Sequence, residues 1–148
     1  MAKTSLLKRQ AEVYLRIAHR QLGMSEALLE KGFYEGAIFH CYHAFEAACS
    51  AGVANWGQRV PLRHRAKFNK FRRLYPDLPF SAEFAALLAE LYPKRERSLY
   101  ADIEYGEIAD PTLEYSRQDA EETLARTREM VGQIESLLRG HPVSGRTD

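Results

Sequence analysis

Apolar residues along this chain return at three- and four-residue steps, the period of a helix with one buried face. From Leu6 to about Lys31 the series Leu7, Ala11, Tyr14, Leu15, Ala18, Leu22, Ala27 and Leu28 keeps mostly to that step and predicts a long amphipathic helix. Gly32 stands where a left-handed stop is useful. The next segment, Phe33 to about Ala54, is apolar on most sides, with Glu35 and Glu46 its few charges. A helix of that kind belongs in the centre of a bundle.

Two glycines, an asparagine and a proline in GVANWGQRVP mark a loop. A third helix follows from Arg63 to Tyr75, with apolar steps at Phe68, Phe71 and Leu74. The prolines of YPDLPFS close it. Ser81 is placed to cap a fourth helix carrying Phe84, Leu87, Leu88 and Leu91, and Pro93 should kink or restart it by removing a backbone donor. Ser116 and Asp119 form a capping box for a last helix that runs to about Arg139, where Gly140 and Pro142 end it. No segment alternates convincingly every second residue, and no internal repeat is visible. The expected fold is all-α, an up-and-down bundle of about five helices in one domain over residues 1–140, with 141–148 a flexible tail.

The chain of 148 residues carries 21 Lys plus Arg against 20 Asp plus Glu, a net charge of +1. So small a net charge generates no global field toward nucleic acid or a membrane. Any electrostatic function must come from local clustering, and the clustering is pronounced. Between Glu46 and Asp77 there is no acid, while Arg59, Arg63, Arg65, Lys67, Lys70, Arg72 and Arg73 all fall there. Between Asp102 and Glu122 the sign reverses, with Arg117 the lone cation. Cys41 and Cys49, eight residues apart on one helix, would have Cα atoms roughly 12 Å apart, too far for a disulfide. They read as two small buried thiols in a reducing compartment. The N-terminus lacks the apolar core of a signal peptide, and no run approaches a membrane span. The expectation is a soluble cytoplasmic protein that needs no metal or cofactor and binds no membrane.

Three groups of residues carry candidate chemistry. The basic third helix and the loop before it, with Arg59, Arg63, His64, Arg65, Lys67, Lys70 and Arg73, have the composition of a phosphate- or RNA-binding surface. The aromatics between them, Phe68, Phe71 and Tyr75, sit at helical spacing and are better read as core. In that case the cations form a solvated face that pairs with the acidic segment of the same chain or of a second copy. His40 and His43 are three apart and could chelate a metal, yet their apolar helix favours satisfied core histidines or a polar seam at a helix interface. The third group is KRERSLYADIEYG, residues 94 to 106. If 94–104 is helical, Arg97, Tyr100 and Glu104 share a face, while Arg97 and Asp102 diverge by about 140° at 100° per residue. Those two would meet only if the helix unwinds or another chain contributes.

Two stretches resemble the HEPN superfamily: LLEKGFYEGAIFHCYHAFEAACSAG, residues 28–52, and the arginine motif in RERSLYAD, before an amphipathic last helix. Together with RHRAKF, residues 63–68, the likeness covers about residues 5 to 139. It implies a small all-α homodimer whose protomers face each other across a cleft, often a metal-independent ribonuclease acting as a toxin or antiphage effector. The family's signature pairs an arginine with a histidine after a short spacer. The arginine steadies the scissile phosphate, and the histidine exchanges the proton of the attacking ribose hydroxyl. This sequence departs there, since with four residues intervening Tyr100 follows Arg95 and Asp102 follows Arg97 where the histidine is expected.

The form Arg-x-Leu-Tyr-x-Asp is similar to the variant motif of the abortive-infection V branch, which also lacks histidine and is associated with phage defence. On that resemblance the catalytic candidates are Arg97, Tyr100 and Asp102. A carboxylate can accept a proton, whereas a tyrosine with a pKa near 10 is a poor base. The leading expectation is a HEPN-type homodimer that binds RNA or a nucleotide, with endoribonuclease or toxin activity in defence if Asp102 or a histidine from elsewhere serves as base. The alternatives are a non-enzymatic module that pairs with a nucleotidyltransferase or other partner protein, and a purely structural salt-bridge network between protomers.

Overall fold

The computed structural model describes residues 2–140, and the expected tail at 141–148 lies outside the described residues. Six helices and one minimal hairpin follow one another: α1 (Ala2–Glu30), α2 (Tyr34–Asn55), α3 (His64–Leu74), α4 (Ser81–Arg97), β1 (Ile103–Glu104), β2 (Glu107–Ile108), α5 (Pro111–Glu114) and α6 (Arg117–Arg139). The all-α expectation holds. Helix α2 is the central element and packs against α1, α3, α4, α5 and α6. Its sequence explains the position, because nearly every residue from Ala44 to Ala54 is buried whichever way it points.

The breaks follow from local chemistry. At the end of α1, Gly32 takes a φ of 84°. Its amide donates to Leu29 O at 3.0 Å, and the Phe33 amide donates to Leu28 O at 2.9 Å. This is the paired bond pattern that closes a helix on a left-handed residue. Gly57 repeats the device after α2, with a φ of 85°. At α6 the reciprocal capping box forms as the sequence predicts: Asp119 N donates to Ser116 Oγ at 3.0 Å, and Ser116 N donates to Asp119 Oδ2 at 2.9 Å.

One sequence expectation needs correction, and the structure decides two readings that stood open. Ser81 is the first residue of α4 and not its cap; Phe80 stands at the cap position and makes no side-chain cap bond. The Ser81 amide is already engaged by Leu78 O at 3.2 Å, which brings the chain into the helix one residue earlier. Pro93 lies inside α4, and the helix continues through it to Arg97. The missing donor is a single bond, and the turn around it is braced by Lys94 Nζ on Glu90 at 3.0 Å and by Ser98 Oγ on Lys94 O at 2.7 Å. Residues 94–104 are not one helix, because after Arg97 the chain leaves α4 and turns back as the β1–β2 hairpin. Ile103 pairs with Ile108 and Glu104 with Glu107. Tyr105 and Gly106 at its tip both have positive φ, 52° and 79°, the geometry of a two-residue primed turn.

An aromatic stack joins α2, α3 and α4. Phe45 meets Phe68 at 5.0 Å and Phe84 at 4.9 Å between ring centroids, and Phe71 stacks on Phe84 with an interplanar angle of 10°. Phe68 and Phe71 are fully buried and Tyr75 nearly so, so the aromatics of the basic helix are core. Cys41 and Cys49 are buried free thiols. Among the described residues, no helix is long and apolar enough to cross a membrane.

Helices α2 and α3 approach closely at Gly52, where an added Cβ would lie 2.5 Å from Phe71 Cδ2 and closer still to Cε2. The Phe71 ring is pinned against Phe84 and cannot swing away. Gly52→Ala should therefore cost about 1 to 3 kcal/mol, the usual range for overpacking a core, read as a lower urea midpoint with an unchanged slope.

Candidate functional site

Among the described residues, the one charged side chain buried in the bundle is a carboxylate on its central helix. Glu46 is 6% exposed, on a stretch of α2 otherwise made of small and apolar residues. A buried carboxylate is tolerated only when paired and hydrogen-bonded, and two helices, α2 and α3, supply the partners. Tyr42 Oη, one turn earlier on α2, donates to Glu46 Oε2 at 2.7 Å. His64 Nδ1, at the start of α3, lies 2.7 Å from the same oxygen, and Lys67 Nζ donates to Oε1 at 3.0 Å. Burial alone would push the Glu46 carboxyl upward; the hydrogen bonds from Tyr42, Lys67 and His64 outweigh it and hold the group below the usual carboxylate range.

A second imidazole and two guanidiniums stand around the aromatic rings beside this carboxylate. His43 is next to Tyr42 on α2, its ring 5.1 Å from the Tyr42 ring and 6.3 Å from His64 between centroids. Burial lowers its pKa to about 4, with Arg95 adding to the effect and Glu46 opposing it. His43 is therefore an uncharged imidazole at neutral pH. Arg95, in the last turn of α4, places Cζ 5.9 Å from the Tyr42 ring centroid, and its Nε is buried with no hydrogen-bond partner. Arg65 lies over Tyr92 at 4.8 Å and is exposed. The wall thus carries an oriented histidine, a neutral histidine, an inward lysine and two arginines, from α2, α3 and α4.

The residues singled out from the sequence fall into different surroundings. His64 and Lys67 enter the Glu46 cluster, so Lys67 points inward; its side chain is 16% exposed. Arg59, Arg63, Arg65 and Arg73 are exposed. Arg59, Arg63 and Lys70 line an open groove of about 400 Å³ at the α2–α3 loop, where Lys70 Nζ also donates to Arg59 O at 2.7 Å. Arg72 and Arg73 line a neighbouring groove of about 570 Å³. None of the ion pairs among the described residues joins this basic segment to the acids at 102–122. His40 is satisfied by Gln21 of α1, Nδ1 to Oε1 at 2.5 Å.

Arg97, Tyr100 and Asp102 lie on the other side of the α4 end. The helix unwinds after Arg97, as a meeting with Asp102 would require, but other acids take the guanidinium. Arg97 Nη2 donates to both carboxylate oxygens of Glu104, at 2.7 and 2.9 Å, and Glu114 stands 3.9 Å from Nη1. Tyr100 is 57% exposed. The Asp102 carbonyl accepts from Ala109 N at 2.7 Å, extending the hairpin, and among the described residues nothing holds its carboxylate.

Sequence reading missed the union of Tyr42, Glu46, His64, Lys67 and Arg95, because its members are distant along the chain. One signal was present: a glutamate on a helix buried on nearly all sides must have partners, and Tyr42 sits at the four-residue spacing that reaches it. Among the described residues, no three of His, Cys, Asp and Glu are grouped so as to hold a metal ion.

A model of the HEPN domain matches residues 11–137 of the chain. A protein of Methanocaldococcus jannaschii named "Putative toxin MJ1304" is 24% identical over 136 residues, covering 87% of this chain and 88% of that protein.

Protonation of the cluster sets a pH dependence. His43 has a folded pKa below its ordinary value, so the stability of its neutral form is complete above about 6.5 and is lost as pH falls toward about 4. Glu46 is also depressed, so its contribution is present above the ordinary carboxylate range and declines as pH falls further. Urea denaturation between pH 7.5 and 3.5 should show stability falling from about pH 6.5 downward. His43→Gln should flatten the upper part of that fall and leave the lower part.

Proposed function

The chain belongs to the HEPN domain family, and from that membership we propose that it is a toxin-like protein whose target is RNA, acting as a homodimer and cutting without a metal. The observation that carries this reading is Arg95: a guanidinium whose Nε is buried and unpartnered, close to the His43 imidazole, which in turn neighbours His64. Arginine recognises phosphate oxygens through paired, charge-assisted hydrogen bonds, and imidazoles exchange protons near neutral pH. The exposed Arg59, Arg63, Arg65 and Arg73, with Lys70 beside them, extend the positive surface from this point along α3, suiting a polyanion more than a single nucleotide. The similarity to a protein named as a toxin supports the same direction.

Arg97, Tyr100 and Asp102 remain candidates in this reading, with a stated condition. A phosphate can reach Arg97 only by displacing Glu104, and Tyr100 and Asp102 are exposed on the approach. The partner protomer would complete the cleft.

A second reading, an interaction module that pairs with a nucleotidyltransferase or another protein, is favoured by one specific feature. The segment around the hairpin exposes Leu99, Tyr100, Ile103, Tyr105, Ile108 and Leu113, with Tyr105 fully solvent-facing. Clustered exposed apolar residues of this kind commonly mark interaction surfaces.

The readings separate on a panel of structured and single-stranded RNAs incubated with the protein in EDTA. The RNA reading expects binding that weakens steeply with salt and is reduced by Arg63→Glu and Lys70→Glu, together with cleavage. Arg97→Ala should lower cleavage with little change in melting temperature, since its partners are exposed and such pairs contribute about 0 to 1 kcal/mol. Absence of binding to any RNA would eliminate this reading and leave the module.

A further inference from the structure

We propose that His43 and His64 form a two-imidazole catalytic pair for RNA cleavage, with Arg95 holding the scissile phosphate and Glu46 positioning His64. The inference rests on the RNA-cleaving reading above and assigns its proton transfers to residues of α2 and α3, away from the Arg97–Asp102 segment.

Breaking an RNA strand without a metal needs two proton-handling groups, one on each side of a phosphate, and a cation on the phosphate itself. The segment from Arg95 to Asp102 supplies no imidazole. Folding brings in two from elsewhere. Their ring centroids lie 6.3 Å apart, close enough for both rings to border one phosphoryl group, and proton transfer requires a nitrogen about 3 Å from the oxygen it serves.

The two rings are held in different chemical states. His43 is half-buried, and the groups that face it are Tyr42, Glu46 and His40 on its own helix, His64 on α3 and Arg95 on α4. It carries no proton at its free nitrogen at neutral pH and can accept one. His64 has its Nδ1 committed to Glu46 at 2.7 Å, while its side chain is 39% exposed. That commitment orients the ring and leaves Nε2 on the edge away from the carboxylate. Glu46 is itself held ionised by Tyr42 and Lys67, so the whole cluster serves to aim one ring.

The step balances without a co-reactant. The 2′-hydroxyl of the ribose gives its proton to His43 as its oxygen bonds to phosphorus. The P–O5′ bond breaks, and the departing oxygen takes a proton from protonated His64 Nε2. The products are a 2′,3′-cyclic phosphate and a free 5′-hydroxyl. One proton has moved from His64 to His43, and solvent resets both rings.

The test compares wild type with His43→Gln, His64→Gln, Glu46→Gln and Asp102→Asn on the same RNA panel in EDTA. It follows cleavage rate, the chemistry of the new ends, RNA binding and thermal melting. Each histidine variant should lose about 100-fold or more in rate, the usual share of general acid–base catalysis, while still binding RNA. The double variant should be little worse than either single one. Glu46→Gln should lower the rate less and change the shape of the pH–rate profile, a change that loss of packing alone would not produce. The wild-type products should carry cyclic phosphate ends.

Cleavage that survives both histidine substitutions but disappears in Asp102→Asn would overturn the pair and leave the RNA reading standing. Wild-type binding without cleavage would also overturn the pair. If no RNA is bound at all, the RNA reading itself falls and takes the pair with it. Should either glutamine variant fail to fold, the asparagine variant at the same position decides, a large loss of rate supporting the pair and an unchanged rate overturning it.

Discussion

A single buried carboxylate organises the seating of α3 on the central helix of this bundle. Glu46 sits on the helix that every large element packs against, where an unpaired charge would be prohibitively costly. The fold answers with a donor from each side: the Tyr42 hydroxyl from the same helix, and the His64 imidazole and Lys67 ammonium from α3. These bonds fix how α3 is set against α2 at its N-terminal end, while Gly52 permits the close approach of Phe71 at the other. Placement of α3 then determines where its outward cations lie. The basic surface, the oriented histidine and the aromatic core are thus consequences of one packing arrangement.

The α4 end is divided between two environments by its own helical geometry. Arg95 and Arg97 are two residues apart, which on an α-helix turns them to nearly opposite sides. Arg95 faces the Tyr42 ring and the imidazoles; Arg97 faces the hairpin and is neutralised there by Glu104 and Glu114. The two arginines of one short motif therefore do different work. Arg97 ties the hairpin to the helix end, and Arg95 leaves donor capacity unspent beside a cluster able to handle protons.

Much of the architecture was legible because its signals are local. Gly32 after an amphipathic run, Ser116 three residues before Asp119, and a second helix apolar on most sides each determine structure within one or two turns, and each appears as the pattern predicts. What escaped the sequence was either a competition between local signals or a contact across the fold. Pro93 offers a kink or a restart, and which of them follows depends on contacts around its turn; the helix runs on through it. The hairpin at 103–108 is too short to show alternation, so the return of Glu104 to Arg97 could not be read from periodicity.

The cluster around Glu46 shows the same boundary for function. A motif search looks for an arginine and a histidine at a fixed spacing, because one helix is the simplest way to present both on one surface. Three helices can present the same groups with no fixed spacing at all, provided something fixes their mutual orientation. Here that role falls to the carboxylate, and the trace it leaves in the sequence is indirect: an acid placed where solvent cannot reach it. A charge at such a position demands partners, and the partners it gathers are an imidazole, an ammonium and a phenol. The absence of histidine from the arginine motif is therefore weak evidence against proton-transfer chemistry in this chain, since the fold returns two imidazoles to the neighbourhood of Arg95 from helices that the motif does not include.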